Sequence, residues 1–278
     1  MTQNPTSSPQ VPASALQISL AAWSVHRLFA SREIDQVGMV QMCADLGIRG
    51  FEFVNTFFPS PQYRYLQRLR KTADDLEVRL LLIMCDGEGE LAAADDSERR
   101  QAVRNHHKWL DIAAVLGCHS IRCNVHGDDS DPQAMLRRAA ESFGSLVDYA
   151  APLGLNILIE NHSQGGHYGC FAEPDWLISL FKAVDRPNFG SLPDFGNFPP
   201  TTDRYEAVKA LMPYAKAVSA KCYDFDGQGN ETKIDFPRML NIVKDAGYRG
   251  SVGIEYEGQR MAERDGIVAA KKLLERLI

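Results

Sequence analysis

Four charged side chains, Glu160, Asp194, Lys221 and Glu255, each close a short apolar run, at intervals of 34, 27 and 34 residues. Each interval is long enough for one strand and one helix. If consecutive units form a closed parallel barrel, four neighbouring strands deliver these groups to one mouth, the end where such barrels carry their chemistry. A carboxylate at a buried strand end costs on the order of several kcal/mol unless it is paired or bound to a cation. Three converging acids therefore require positive charge, and with one amine among them they point to a metal or sugar site. An oxygen-rich site of this kind suits Mg²⁺ or Mn²⁺ rather than zinc or copper.

The segments around these residues repeat one arrangement. In Asn156-Ile-Leu-Ile-Glu-Asn-His162 the period of two places Glu160 and His162 on the same side of the strand line. Asp194 lies in Ser191-Leu-Pro-Asp-Phe-Gly-Asn197, and Glu255 in Val252-Gly-Ile-Glu-Tyr-Glu257. One acid at a strand end is commonly a loop partner; three at successive strand ends are hard to explain by packing.

The elements that must position them alternate along the chain, short β-like runs with longer amphipathic stretches, which is the pattern of a parallel sheet covered by helices. Eight strands are predicted: Gln17 to Trp23, Gly50 to Val54, Arg79 to Met84, Ser120 to Val125, Asn156 to Glu160, Phe189 to Asp194, Ala217 to Tyr223 and Ser251 to Tyr256. Helices are predicted at Ile34 to Leu46, Gln62 to Leu76, Asp96 to Leu116, Pro132 to Leu153, Pro174 to Val184, Asp203 to Leu211, Phe236 to Ala246 and Arg264 to Ile278. Gly47, Gly117, Gly154 and Gly247 follow helices where a left-handed residue would close the last turn. The longest irregular pieces, His126 to Asp131 and Ser163 to Glu173, both follow strands and so belong to the active face. The fold expected is a (β/α)₈ TIM barrel of one domain, residues 17–278, behind a flexible N-terminal tail, residues 1–16; such barrels take roughly 250 residues.

Composition narrows the function. Of the 278 residues 45% are hydrophobic and 24% charged, as in an ordinary globular protein, and no apolar run approaches the length of a membrane span. The first sixteen residues, rich in Ser, Pro, Thr and Gln, lack the basic start and apolar core of a secretory signal. Cys43, Cys85, Cys118, Cys123, Cys170 and Cys222 are scattered singly, without CxxC spacing, and read as reduced thiols of a cytoplasmic protein. A formal net charge of −6 argues against nucleic acid as a partner.

The chain also resembles a known family, the xylose-isomerase-like TIM barrels grouped as sugar phosphate isomerases/epimerases. The resemblance covers nearly the whole chain and rests on Leu158-Ile-Glu-Asn-His162, Pro193-Asp-Phe-Gly-Asn197, Val218-Ser-Ala-Lys-Cys-Tyr-Asp224 and Ala246-Gly-Tyr-Arg-Gly-Ser-Val-Gly-Ile-Glu-Tyr-Glu-Gly258. It implies a divalent metal, Mn²⁺ or Mg²⁺, with Glu160, Asp194 and Glu255 as ligands, and Glu160 and Glu255 as the acid/base pair. It implies too a small carbohydrate substrate and the possibility of a homo-oligomer. The family's fourth ligand is a His on the seventh strand, whose place falls to Lys221 here. Three readings of Lys221 stand open. Either the metal has a fourth ligand such as His162 or water, or the ammonium supplies the positive charge, or Lys221 is a catalytic acid/base or Schiff-base amine with a lowered pKa. A Lys that only neutralises the carboxylates is the plain alternative.

Around this centre His126, in Asn124-Val-His-Gly127, is a candidate for a sugar hydroxyl, or a helix cap. Trp23 and His26 follow the first strand, where an aromatic face can stack on a sugar ring; Trp23 serves equally as core lining. Asn197 and His162 are candidate substrate contacts. Glu52, inside the second strand, needs a partner if it points inward, and Lys221 or Arg122 would serve. Glu257 reads as solvated rim, and the loop holding Asp224 and Asp226 as a turn. The expected activity is isomerisation or epimerisation of a small ketose or keto-sugar by metal-assisted proton transfer next to the carbonyl. The alternatives are a keto-sugar or inosose lyase or dehydratase, which begins with the same proton abstraction, and a metal-free sugar-binding barrel.

Overall fold

In a computed structural model that describes residues 16–278, eight parallel strands curl into a TIM barrel. They are β1 (Gln17–Ala21), β2 (Gly50–Val54), β3 (Arg79–Cys85), β4 (Ser120–Cys123), β5 (Asn156–Glu160), β6 (Phe189–Leu192), β7 (Val218–Cys222) and β8 (Ser251–Tyr256). The expected tail lies outside the described residues except for Leu16, which is 8% exposed and packs into the core. Strand interiors are buried on both faces, as a sheet wrapped by helices requires.

Nine helices are present among the described residues: α1 (His26–Ala30), α2 (Gln36–Asp45), α3 (Tyr63–Asp75), α4 (Asp96–Leu116), α5 (Pro132–Ala150), α6 (Pro174–Val184), α7 (Arg204–Leu211), α8 (Phe236–Asp245) and α9 (Glu263–Leu277). Aspartates set several starts. Asp95, Asp131 and Asp203 each accept two backbone N–H groups of the first turn, so Asp203, expected as the first helical residue, is the cap instead. The predicted fourth-unit helix stops at Ala150 and tightens into a 3₁₀ turn, Ala151–Leu153, because Pro152 cannot donate to the preceding turn. All four predicted closing glycines have positive φ, Gly117 at 78° and Gly154 at 69° among them. The first strand is shorter than expected: the chain leaves β1 at Ala21 into a 3₁₀ turn, Ala22–Val25, and then α1. Five residues are too few to show a helical period.

The ladder runs β6-β5-β4-β3-β2-β1-β8-β7. Closure between β6 and β7 is irregular. β6 ends at Leu192, before Pro193, which has no N–H for the ladder. Two isolated parallel bridges, Ser191 with Ala215 and Asp194 with Ser219, complete the seam. Lys216 N donates to Ser191 O at 3.0 Å, Ser219 N to Pro193 O at 3.0 Å and Phe195 N to Ser219 O at 3.1 Å. This seam sets Asp194 beside Ser219. No helix among the described residues is long and apolar enough to cross a membrane.

Candidate active site at the barrel mouth

Glu160 ends β5, Asp194 follows β6 past Pro193, and Lys221 and Glu255 stand in register on β7 and β8. All four are at most 5% exposed. Glu160, Asp194 and Glu255 each offer an oxygen, and these lie within 4.8 Å of one another. Strand geometry brings them together, since each lies at or just past the C-terminal end of its strand.

Asp194 is fixed by its own turn. Its Oδ1 accepts from Gly196 N at 2.7 Å and Asn197 N at 2.6 Å. The fully buried Asn161 clamps the same turn: its Nδ2 donates to Asp194 O and Asn197 O, both at 3.1 Å, and its Oδ1 accepts from Asp194 N at 2.9 Å. Ser219 Oγ lies 2.7 Å from Asp194 Oδ2 and 2.8 Å from Glu255 Oε2. Lys221 Nζ lies 3.1 Å from Glu255 Oε1, 3.1 Å from Asn197 Oδ1 and 3.4 Å from Glu257 Oε1. The contact with Asn197 is a hydrogen bond, and those with the two carboxylates are ion pairs.

A second cation holds the other flank. Arg122 Nη1 donates to Asp86 Oδ1 at 2.7 Å and Asn124 Oδ1 at 3.0 Å. Its Nε is 2.9 Å from Glu160 Oε2, but the two are not aligned as donor and acceptor, and both atoms are buried without a hydrogen-bond partner. The contact is an ion pair by proximity. Glu160 Oε1 accepts from Asn197 Nδ2 at 2.9 Å.

Burial pushes the Glu160 carboxyl up to about 7 against the opposing pull of Arg122. It pushes Asp194 to about 7 as well, with Lys221 opposing and the neighbouring carboxylates assisting. Burial acts upward on Glu255 too, but Lys221 and the Ser219 hydrogen bond outweigh it and hold Glu255 below the usual carboxylate range. For Lys221 burial disfavours the ammonium, yet Glu255 and Asp194 raise its pKa well above that of a free lysine. It is therefore a fixed cation, and the lowered pKa needed for a Schiff-base amine is not found.

A cavity of about 150 Å³ opens beside this cluster, lined by Trp23, Asp86, Arg122, His162, Glu255 and Glu257, with Val54 and Met84 as its apolar wall. Trp23 Nε1 donates to Glu257 Oε1 at 2.6 Å, and the ring stacks on His26 at 4.9 Å. His26 does not line the cavity; its Nδ1 lies 2.8 Å from Trp23 O, so it supports Trp23. His162 Nδ1 lies 2.6 Å from Ser163 O, and its pKa is lowered by burial and by Arg122. The His126 ring is 6.3 Å from that of His162; burial drives its pKa down to about 4, and Nε2 is buried without a partner. Asn197 bridges Glu160 and Lys221.

Two expectations change. Glu52 pairs with neither Lys221 nor Arg122 but accepts from Ser19 Oγ at 2.5 Å, in a space left open by Gly253, where a Cβ would come within 2.6 Å of its carboxyl. Glu257 is not solvated rim, because its carboxylate is held by Trp23 and Lys221 inside the cavity. Ser219 and Asp86 were not singled out in the sequence as part of the site. Ser219 could have been found from strand period, since it faces the same way as Lys221. Asp86 lies just past β3, where no pattern distinguishes a loop acid from a ligand.

A family model described as xylose isomerase-like TIM barrel matches residues 40–277. The chain belongs to this family. Over 65 residues it is 42% identical to the C-glycoside deglycosidase alpha subunit of Arthrobacter globiformis, a match spanning 22% of this chain and 18% of that protein. Among solved structures it superposes on D-psicose 3-epimerase with D-tagatose from Clostridium cellulolyticum H10, with a TM-score of 0.75, 16% identity, and coverage of 94% of this chain and 99% of that one. It is similar also to an AP endonuclease, family 2, from Brucella melitensis, with a TM-score of 0.71, 22% identity, and coverage of 91% and 97%. At these identities the superpositions speak for the fold of the xylose isomerase-like barrel alone.

The donor set of this xylose isomerase-like barrel suits a hard divalent cation. Among the described residues Glu160, Asp194 and Glu255 are the one group of His, Cys, Asp or Glu placed to hold a metal, and all three are oxygen donors. The orphaned Glu160 Oε2, buried and directed at no hydrogen-bond donor, is the atom that such a cation would satisfy.

Proposed function

We propose that this barrel is a sugar isomerase or epimerase, acting on a small ketose or keto-sugar by proton transfer next to the carbonyl, with Mn²⁺ or Mg²⁺ held by Glu160, Asp194 and Glu255. The observation that carries the reading is the convergence of three buried carboxylates within 4.8 Å beside a cavity at the barrel mouth. About 150 Å³ is well below the roughly 300–1,000 Å³ of drug-sized pockets, which favours a small molecule over a polymer. Family membership and the likeness to a sugar 3-epimerase agree with it.

A divalent ion supplies Lewis-acid polarisation of substrate oxygens, which acidifies the neighbouring carbon. The remaining work falls to the chain. Glu160 and Glu255 come from strands on different sides of the barrel, so one carboxylate can take the proton that the other returns on the opposite face. Arg122 in the cavity wall, with Lys221 behind Glu255, supplies fixed positive charge that would stabilise an enediolate oxygen. Trp23, locked by Glu257, offers an aromatic wall to the apolar face of the sugar, and Val54 and Met84 help exclude water.

The test is solvent exchange. With Mn²⁺ present, a panel of ketopentoses and ketohexoses incubated in D₂O should incorporate deuterium next to the carbonyl, and Glu160→Gln should reduce that by at least about 10²-fold. No exchange with any ketose would sink the reading. Loss of water or of an aglycone after exchange would identify a lyase that shares the first step, the reading favoured by the local likeness to a C-glycoside deglycosidase subunit.

A further inference from the structure

We propose that Ser219, rather than Lys221, is the β7 side chain that contributes to the cation site, as a neutral oxygen donor between Asp194 and Glu255. The inference rests on the metal reading above and assigns its missing donor. Ser219 and Lys221 both face the barrel interior, one period of two apart, but they serve different atoms. Lys221 Nζ donates to Asn197 Oδ1 and pairs as an ion with Glu255 Oε1 and Glu257 Oε1, and a protonated amine has no lone pair for a metal. Ser219 Oγ instead lies 2.7 Å from Asp194 Oδ2 and 2.8 Å from Glu255 Oε2, the oxygens that Lys221 leaves alone.

A hydroxyl has one hydrogen to donate. Between two carboxylate oxygens it satisfies one and turns a lone pair toward the other, so this trio of oxygens is short of positive charge. Glu160 Oε2, in the same cluster and also buried, has Arg122 Nε 2.9 Å away as an ion pair but lacks a hydrogen bond as well. A divalent ion resolves both deficits. Oxygens on adjacent corners of an octahedral Mg²⁺ site lie about 3 Å apart, given metal–oxygen distances of roughly 2.1 Å, and the two Ser219 spacings are close to that.

Ser219→Ala should weaken Mn²⁺ binding, followed by the electron paramagnetic resonance of free Mn²⁺, by about tenfold or more, while Lys221→Met keeps a bound ion. Ser219→Cys converts the hard donor to a soft one. Loaded with Cd²⁺, it should show the ultraviolet thiolate-to-cadmium charge-transfer band that the parent chain, with its own buried thiols, does not. Unchanged Mn²⁺ affinity in Ser219→Ala, or a Cd²⁺-loaded Ser219→Cys protein without the band, overturns the assignment and leaves the metal reading standing. A parent chain that takes up no Mn²⁺ overturns both.

Discussion

Glu52 shows how one side chain can set the pH response of the whole fold. Burial drives its carboxyl up to about 7, with only the Ser19 hydroxyl opposing, while the neighbouring acids Glu255 and Glu160 push the same way. The folded chain therefore keeps a proton that the unfolded chain releases near 4.5, so stability falls as pH rises from about 4.5 to about 7 and levels off beyond. Glu52→Gln should remove that loss, raising stability at pH 8 by on the order of 2 kcal/mol in urea unfolding and changing little at pH 4.5. A variant less stable than the parent at pH 8 would mean that the carboxyl works as a paired anion. At this scale strand-end acids were legible in the sequence, because Glu160, Asp194 and Glu255 recur at one place in each unit. Their partners were not. Arg122, Ser219 and Glu257 became part of the site only through contacts across strands.

At the scale of elements, the decisive piece is the seam between β6 and β7. Pro193 interrupts the ladder, the chain turns at Asp194, and Asn161 from the end of β5 holds that turn with three hydrogen bonds while fully buried. Asn161→Ala would leave three backbone groups without partners, each costing about 1–3 kcal/mol if water cannot reach it. The expected loss is about 2–4 kcal/mol in urea unfolding, along with weaker Mn²⁺ binding as Asp194 loses its orientation. Unchanged stability would show that the turn holds itself. Helix positions followed from amphipathic period and Asp caps, and strand positions from apolar runs bounded by turns. What escaped was α1, too short to have a period, and the exact ends of β1, β4, β6 and β7, where the ladder stops before the predicted strand does.

For the whole molecule, closure of the barrel gathers Glu160, Asp194 and Glu255, distant in sequence, so ion binding should be felt as global stability. Mn²⁺ at about a hundred times its dissociation constant should stabilise the chain by about 2.7 kcal/mol, raising Tm by roughly 5 °C over the chelated protein. Glu160→Gln should lose most of that shift in differential scanning calorimetry. Equal melting with Mn²⁺ and with chelator would remove the cation from the account. By itself the sequence determined the alternation of strands and helices, the (β/α)₈ class and the acids at strand ends, because hydrophobic period and turn chemistry are local properties of the chain. Only the tertiary structure decided that Lys221 is an ion-paired cation, that Ser219 touches two carboxylates and that Glu257 anchors Trp23. Those facts depend on side-chain reach across a closed sheet, where angstroms between residues far apart in sequence choose the partner.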